Sequence, residues 1–151
     1  MTRVRYGLLS AEDKALLPLV GIVNGCGPKY RLVNWLVPDV LFGMQITEYC
    51  NQHDFNYWLG GGSKKIFCNS ERLKADRQLR EAIWARAKET RKACLLPILY
   101  IVSWIYYAAV RVGGAYGDLW HNGPERTLED LDEAIGHLRP GDPTQGSFCP
   151  S

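Results

Sequence analysis

The chain reads as an all-α protein. Apolar residues recur at helical spacing in several segments, those segments open on helix-capping residues, and glycine or proline ends them. Its 151 residues suffice for one domain with a real core. Ser10-Ala11-Glu12-Asp13 supplies an N-cap and an acidic first turn, and Pro18 limits or bends the short helix it opens. Gly25, Gly27 and Pro28 then enforce a loop. Residues 30–40 are apolar but broken by Pro38, and read as irregular or short helix. Leu41 to Leu59 reads as a long helix closed by Gly60-Gly61-Gly62. Ser70-Glu71 opens the next, which runs to about Arg91 with Leu73, Ala75, Leu79, Ala82, Ile83 and Ala87 on one side.

The most apolar stretch is Ala93 to Val112, which approaches the ~20 residues that cross a bilayer. Pro97, Ser103, three Tyr and close flanking charges make it read as a buried core helix rather than a span. Thr127-Leu128-Glu129-Asp130 opens a last amphipathic helix with Leu128, Leu131, Ile135 and Leu138 inward. A Pro/Gly/Ser tail over residues 141–151 leaves residues 1–140 as the domain. There is no internal repeat and no nucleotide-binding glycine motif.

The net charge of +2 hides an asymmetry. Residues 61–93 hold ten Lys and Arg against four Asp and Glu, whereas residues 118–151 hold seven acids against two Arg. The basic block is a candidate face for anionic lipid or nucleic acid, or a solvated helix face. Five cysteines is an odd count, so at least one thiol is free or pairs between chains, unless all five are reduced. Arg3 and Arg5 precede Glu12, Asp13 and Lys14, which makes the N-terminus a poor signal peptide.

Chemistry concentrates in Cys50-Asn51-Gln52-His53-Asp54-Phe55-Asn56-Tyr57. His53 and Tyr57 are four apart and share a helix face. Asp54 points roughly 100° away from His53. Adjacent but divergent reactive groups suit a divided task, one moving a proton and the other holding a metal. Cys50, three before His53, lies on the same side and can tie this helix to another segment.

This stretch resembles the active-site helix of secreted phospholipase A2, whose pattern is Cys-x-x-His-Asp-x-x-Tyr. Upstream, Asn24-Gly25-Cys26-Gly27-Pro28 resembles that family's calcium loop. Downstream, Asp76 within Leu73-Lys74-Ala75-Asp76-Arg77 stands where the family places the aspartate that orients the histidine. Tyr106 to Gly114 resembles the last core helix of the bacterial and fungal branch. The likeness spans roughly Asn24 to Gly114, with the motifs in family order.

The resemblance implies two long antiparallel helices carrying the His/Asp site, a calcium-binding loop and additional packed helices. It implies calcium-dependent hydrolysis of the sn-2 ester of glycerophospholipids at a phospholipid membrane surface, outside the producing cytoplasm. In that scheme His53 is the general base for water, Asp76 accepts the hydrogen bond of its other ring nitrogen, and Tyr57 holds Asp76. Calcium takes Asp54 and carbonyls of Gly25, Gly27 and Lys29, since hard cations prefer oxygen donors. Cys26 pairs with Cys50. Lys64, Lys65, Arg72, Lys74, Arg77 and Arg80 follow the catalytic helix closely in sequence, so some of them lie on the connecting loop near the mouth of a cleft between two antiparallel helices, with Lys64 and Lys65 expected to meet anionic lipid. Two departures from the animal pattern stand out. Twenty-four residues separate Cys26 from Cys50, and Pro28-Lys29-Tyr30 replaces further loop glycines.

Two other readings compete. Cys26, Cys50, His53 and Cys68 could form a Cys₃His zinc site. A non-catalytic membrane-surface protein could use the basic helix and Ala93–Val112.

Overall fold

A computed structural model describes residues 4–26, 40–41, 43–61, 70–89, 93–116, 120–121 and 123–139. The described residues are mostly helical, with one two-stranded ribbon among them. Helix α1 (Ala11–Leu16) begins as its cap requires, with the Ser10 hydroxyl accepting from Asp13 N–H, and it ends before Pro18. Strands β1 (Val40–Leu41) and β2 (Met44–Gln45) pair antiparallel. Helix α2 (Thr47–Leu59), α3 (Ser70–Glu89), α4 (Leu96–Tyr116) and α5 (Leu128–Ile135) follow.

The helix expected from Leu41 starts six residues later. Gly43 sits at φ +83, a left-handed turn that breaks the helical path, and the chain uses it to connect the two strands. Met44 and Ile46 then enter the core. Readings placed on Gly27, Pro28, Lys29, residues 30–39, Gly62, Lys64, Lys65, Cys68, Cys149 and the 141–151 tail fall outside the described residues.

Helix α2 is buried on two sides, which explains why its sequence lacks a single apolar stripe. Cys50 joins Met44, Ile46, Leu79, Ile83, Ala87, Leu99 and Tyr106 in a core with α3 and α4. Phe55 and Leu59 join Tyr6, Leu17, Ile22, Val23, Leu131 and Ile135 in a second core with the N-terminal segment and α5. A third cluster holds Tyr57, Ala75 and Trp120.

The C-terminal end of α2 leaves carbonyls that the helix itself cannot satisfy. Asn56 O accepts from Gly60 N–H, and Tyr57 O from His121 N–H. Trp58 O accepts from the Arg126 guanidinium at 2.8 Å, and Leu59 O from Arg126 N–H. The segment before α5 therefore stitches the end of α2. The capping box of Thr127 and Asp130 then starts α5, each backbone N–H bonding the other's side chain.

Packing departs from expectation at three places. In α3 the buried set is Arg72, Ala75, Asp76, Leu79, Ile83 and Ala87, so Arg72 rather than Leu73 turns fully inward. Leu128 is exposed, whereas Leu131 and Ile135 are fully buried. Residues 93–112 form no buried core helix. After a 3-10 turn, α4 buries Leu99, Ser103 and Tyr106 but leaves Ile98, Ile101, Trp104, Ile105 and Val112 exposed. No helix among the described residues is long and apolar enough to cross a membrane.

Gly60 gives a direct test of the stitch. It caps α2 at φ +66, and an added Cβ would collide with the His121 carbonyl oxygen. Gly60→Ala should destabilise the fold by about 2 kcal/mol in urea unfolding, combining backbone strain with the broken contact. A change under about 0.5 kcal/mol would show that residues 120–126 do not hold this helix end.

Candidate active site

Asp76 is a fully buried carboxylate on α3, and three donors from two other helices converge on it. His53 Nε2 lies 2.9 Å from Oδ1. The Tyr57 hydroxyl donates to the same oxygen at 2.6 Å. Arg111 Nη1 on α4 donates to Oδ2 at 2.9 Å. A buried carboxylate left unpaired would be costly, and these partners satisfy both oxygens. Burial pushes the Asp76 pKa up, but the hydrogen bonds from His53, Tyr57 and Arg111 outweigh it and hold the group below the usual carboxylate range. Asp76 is thus ionised near neutrality and can only accept.

That fixes the tautomer of His53. The nitrogen facing an acceptor-only group must carry the proton, so Nε2 donates and Nδ1 keeps its lone pair when the ring is neutral. Burial lowers the His53 pKa, but Asp54 and Asp76 more than compensate and raise it above its ordinary value. Nδ1 lies 3.7 Å from Asp54 Oδ1, beyond a hydrogen bond. The Tyr57 pKa is raised by burial and by the charge of Asp76, so the phenol stays a donor. Its ring packs on His53 at 4.3 Å and edge-on against Trp120 at 5.1 Å. Trp120 is itself fixed by an Nε1–H bond to Gly61 O.

Asp54 turns the other way, toward the glycine loop. Its Oδ2 accepts from Asn24 N–H at 3.1 Å, and Asn51 Oδ1 accepts from Gly25 N–H at 3.0 Å. A disulfide joins the next loop residue, Cys26, to Cys50. Residues 24, 25 and 26 are therefore clasped one after another to residues 54, 51 and 50 of α2. Among the described residues, no three His, Cys, Asp or Glu side chains converge as a metal cluster. A calcium site built mainly of backbone carbonyls needs only one such carboxylate, and Asp54 beside this loop fits that need. The zinc reading does not fit, because Cys26 and Cys50 share their sulfurs with each other. Cys94 is an exposed free thiol.

The structure thus brings together His53, Asp76 and Tyr57, and sets Asp54 and Gly25 beside them. Gly27 and Lys29 lie outside the described residues. Sequence reasoning missed Arg111, Arg72 and Trp120. Arg72 is fully buried and donates to the Arg111 carbonyl at 3.3 Å, bracing the cation that braces Asp76. One signal for Arg111 was available: it is the only charged residue in residues 93–116, and a lone charge on an apolar helix needs a partner.

Compared with protein-family models, curated proteins and solved structures, the chain matches none. The site must therefore be judged by its geometry, and Arg111 offers a test. Arg111→Met removes one charged hydrogen bond from Asp76, worth about 2 kcal/mol at pH 7. Because the Asp76 pKa is depressed, its stabilisation is present above the unfolded value and disappears as pH falls through the folded one. The variant and the parent should hence differ by a constant amount from neutral pH down to the unfolded carboxylate value of about 3.9, and the gap should shrink below it as Asp76 protonates in the fold. A gap that stays constant through acid unfolding would exclude the carboxylate as the partner that matters.

Proposed function

We propose that the chain is a calcium-dependent phospholipase A2 that cleaves the sn-2 ester of glycerophospholipids. The observation that carries this reading is the Asp76–His53 pair, with Nε2 tied and Nδ1 left as a base. Support also comes from order along the chain: a glycine loop, a disulfide to the catalytic helix, His-Asp, then the anchoring Asp. Helices α2 and α3 are read as the two long antiparallel helices of that architecture. Tyr57 lies with Ala75, and Cys50 lies with Leu79, Ile83 and Ala87, so contacts run in opposite order along the two helices.

Hydrolysis then proceeds without a covalent enzyme intermediate. His53 Nδ1 takes a proton from water as its oxygen attacks the ester carbonyl. Asp76 stabilises the imidazolium that forms and keeps the ring from rotating. Collapse of the tetrahedral oxyanion breaks the bond to the glycerol oxygen, and His53 returns the proton to that oxygen. The products are a lysophospholipid and a fatty acid. Tyr57 and Arg111 act through Asp76 and are positioning residues. Asp54, with carbonyls of Gly25, Gly27 and Lys29, would hold calcium, which supplies a Lewis acid for the substrate phosphate and carbonyl oxygens. The disulfide suits an oxidising compartment, in keeping with action outside the producing cytoplasm on a membrane surface.

Fatty-acid release from phospholipid vesicles, with calcium or with EGTA, tests the reading. Wild-type protein should release fatty acid with calcium only, and a folded His53→Ala protein should lose roughly 10²–10⁴ in rate. Near-normal turnover by that variant would remove His53 as the base.

Asp54→Asn separates the metal from the base. It removes the only carboxylate assigned to the cation, so the calcium concentration for half-maximal activity should rise at least about tenfold. Full activity of the wild type in EGTA would discard the calcium assignment while leaving the role of His53 intact.

A further inference from the structure

Helix α4 exposes a continuous aliphatic strip that no other described residue covers. Ile98, Ile101, Ile105 and Val112 are 47%, 59%, 59% and 59% exposed, and Ala108 and Ala109 between them are exposed too. Their spacing follows one helix face for about 21 Å. Single exposed apolar residues need no explanation, but a contiguous strip does.

What flanks the strip identifies its partner. Along the edge facing α3 runs a ladder of rings: Trp84 on Tyr100 at 5.2 Å, Tyr100 on Trp104 at 6.4 Å, and Trp104 on Tyr107 at 5.5 Å. Beyond the rings lie cations from α3. The Arg80 guanidinium sits 4.3 Å over Trp104 and 5.7 Å over Tyr107, and Lys88 Nζ is 5.7 Å over Trp84. Glu81 and Glu89 are paired to Arg80 and Arg86. Residues 90–117 contain three cations and no carboxylate. The surface thus passes from aliphatic to aromatic to cationic across its width.

We propose that this face of α4 and the adjoining edge of α3 dock the protein onto an anionic phospholipid surface, with α4 lying in the plane of the interface. The order of side chains matches the depth profile of a bilayer leaflet: Ile and Val reach acyl chains, Trp and Tyr sit at the carbonyl level, and Arg and Lys meet phosphates. A second copy of the chain is a poorer occupant. The strip carries no carboxylate, and the neighbouring carboxylates Glu81 and Glu89 are already engaged by Arg80 and Arg86, so two copies would offer each other no free complementary charge. Arg111, which holds Asp76, lies one residue before Val112, so docking brings the strip's end beside the site. The proposal rests on the hydrolase reading only for the expectation that the chain meets a phospholipid surface, and it moves the main contact from Lys64 and Lys65 to α4.

The test uses the full chain and vesicles of phosphatidylglycerol and phosphatidylcholine, scored by co-flotation, so that no turnover is needed. Wild-type protein should bind, and Ile101→Glu with Ile105→Glu should weaken partitioning on the order of tenfold or more with an unchanged circular dichroism spectrum. Arg80→Gln should cost roughly fivefold on anionic vesicles and nothing on pure phosphatidylcholine. A readout without disruptive change is quenching of tryptophan fluorescence by brominated acyl chains, most of which Trp104→Phe should remove. Binding that the Ile101/Ile105 variant retains, or quenching that Trp104→Phe leaves intact, overturns the proposal. So does a wild-type dimer that ignores vesicles and becomes monomeric in the Ile101/Ile105 variant. Hydrolysis of monomeric short-chain phospholipid reads the catalytic claim separately: turnover without docking sinks only this proposal, and docking without turnover sinks only the hydrolase reading.

Discussion

The charge on Asp76 is the constraint around which the rest of the structure is arranged. A carboxylate with no solvent exposure survives as an anion only if its oxygens are paired. The three donors come from two helices, His53 and Tyr57 from α2 and Arg111 from α4. One group thus fixes how α2, α3 and α4 meet. It also fixes the His53 tautomer, because an acceptor-only partner leaves Nε2 no role but donor. Fold and chemistry depend on the same hydrogen bonds, so loosening one loosens the other.

Helix α2 can deliver His53 and Tyr57 accurately because it is held on two sides and at both ends. Its α3 side joins one core and its opposite side another. Its end carbonyls are closed by Gly60, His121 and Arg126, with the Arg126 guanidinium also lying 4.8 Å over the Trp58 ring. Near its start, Glu48 accepts from Tyr6 and Lys14, which anchors the N-terminal segment. The same burial and that carboxylate raise the Tyr6 pKa to about 12, so Tyr6 remains a donor there. The disulfide then clasps the glycine loop to the face bearing Asn51 and Asp54. Asp54 is directed away from Asp76, which lets two carboxylates serve one histidine without sharing a proton.

Local features were readable from residue order. His53 and Tyr57 share a face by spacing alone, Ser10 and Thr127 declare their caps, and Gly60 declares a stop. The parts that stayed hidden depend on partners far away in the chain. Arg111 meets Asp76 across a separation of 35 residues, and no local pattern says so. Arg72 turned inward against the usual rule, where the Arg111 carbonyl accepts from it, and took the buried place expected for Leu73 while Ala75, Leu79, Ile83 and Ala87 stayed buried as expected. Apolar character misled twice. Leu128 and the outer face of α4 are hydrophobic yet exposed, since composition records what a residue prefers and not what the fold leaves uncovered. The expected start of α2 at Leu41 runs through Gly43, where the chain turns instead at φ +83.

Nitrogen NMR of the His53 ring in calcium-free protein reads whether Asp76 holds His53 with Nδ1 free as a base. A proton on Nε2 and a bare Nδ1 are expected at high pH, with a titration midpoint above the usual value of about 6.5 that falls in Asp76→Asn. A ring protonated on Nδ1, or a midpoint indifferent to Asp76→Asn, would contradict this arrangement.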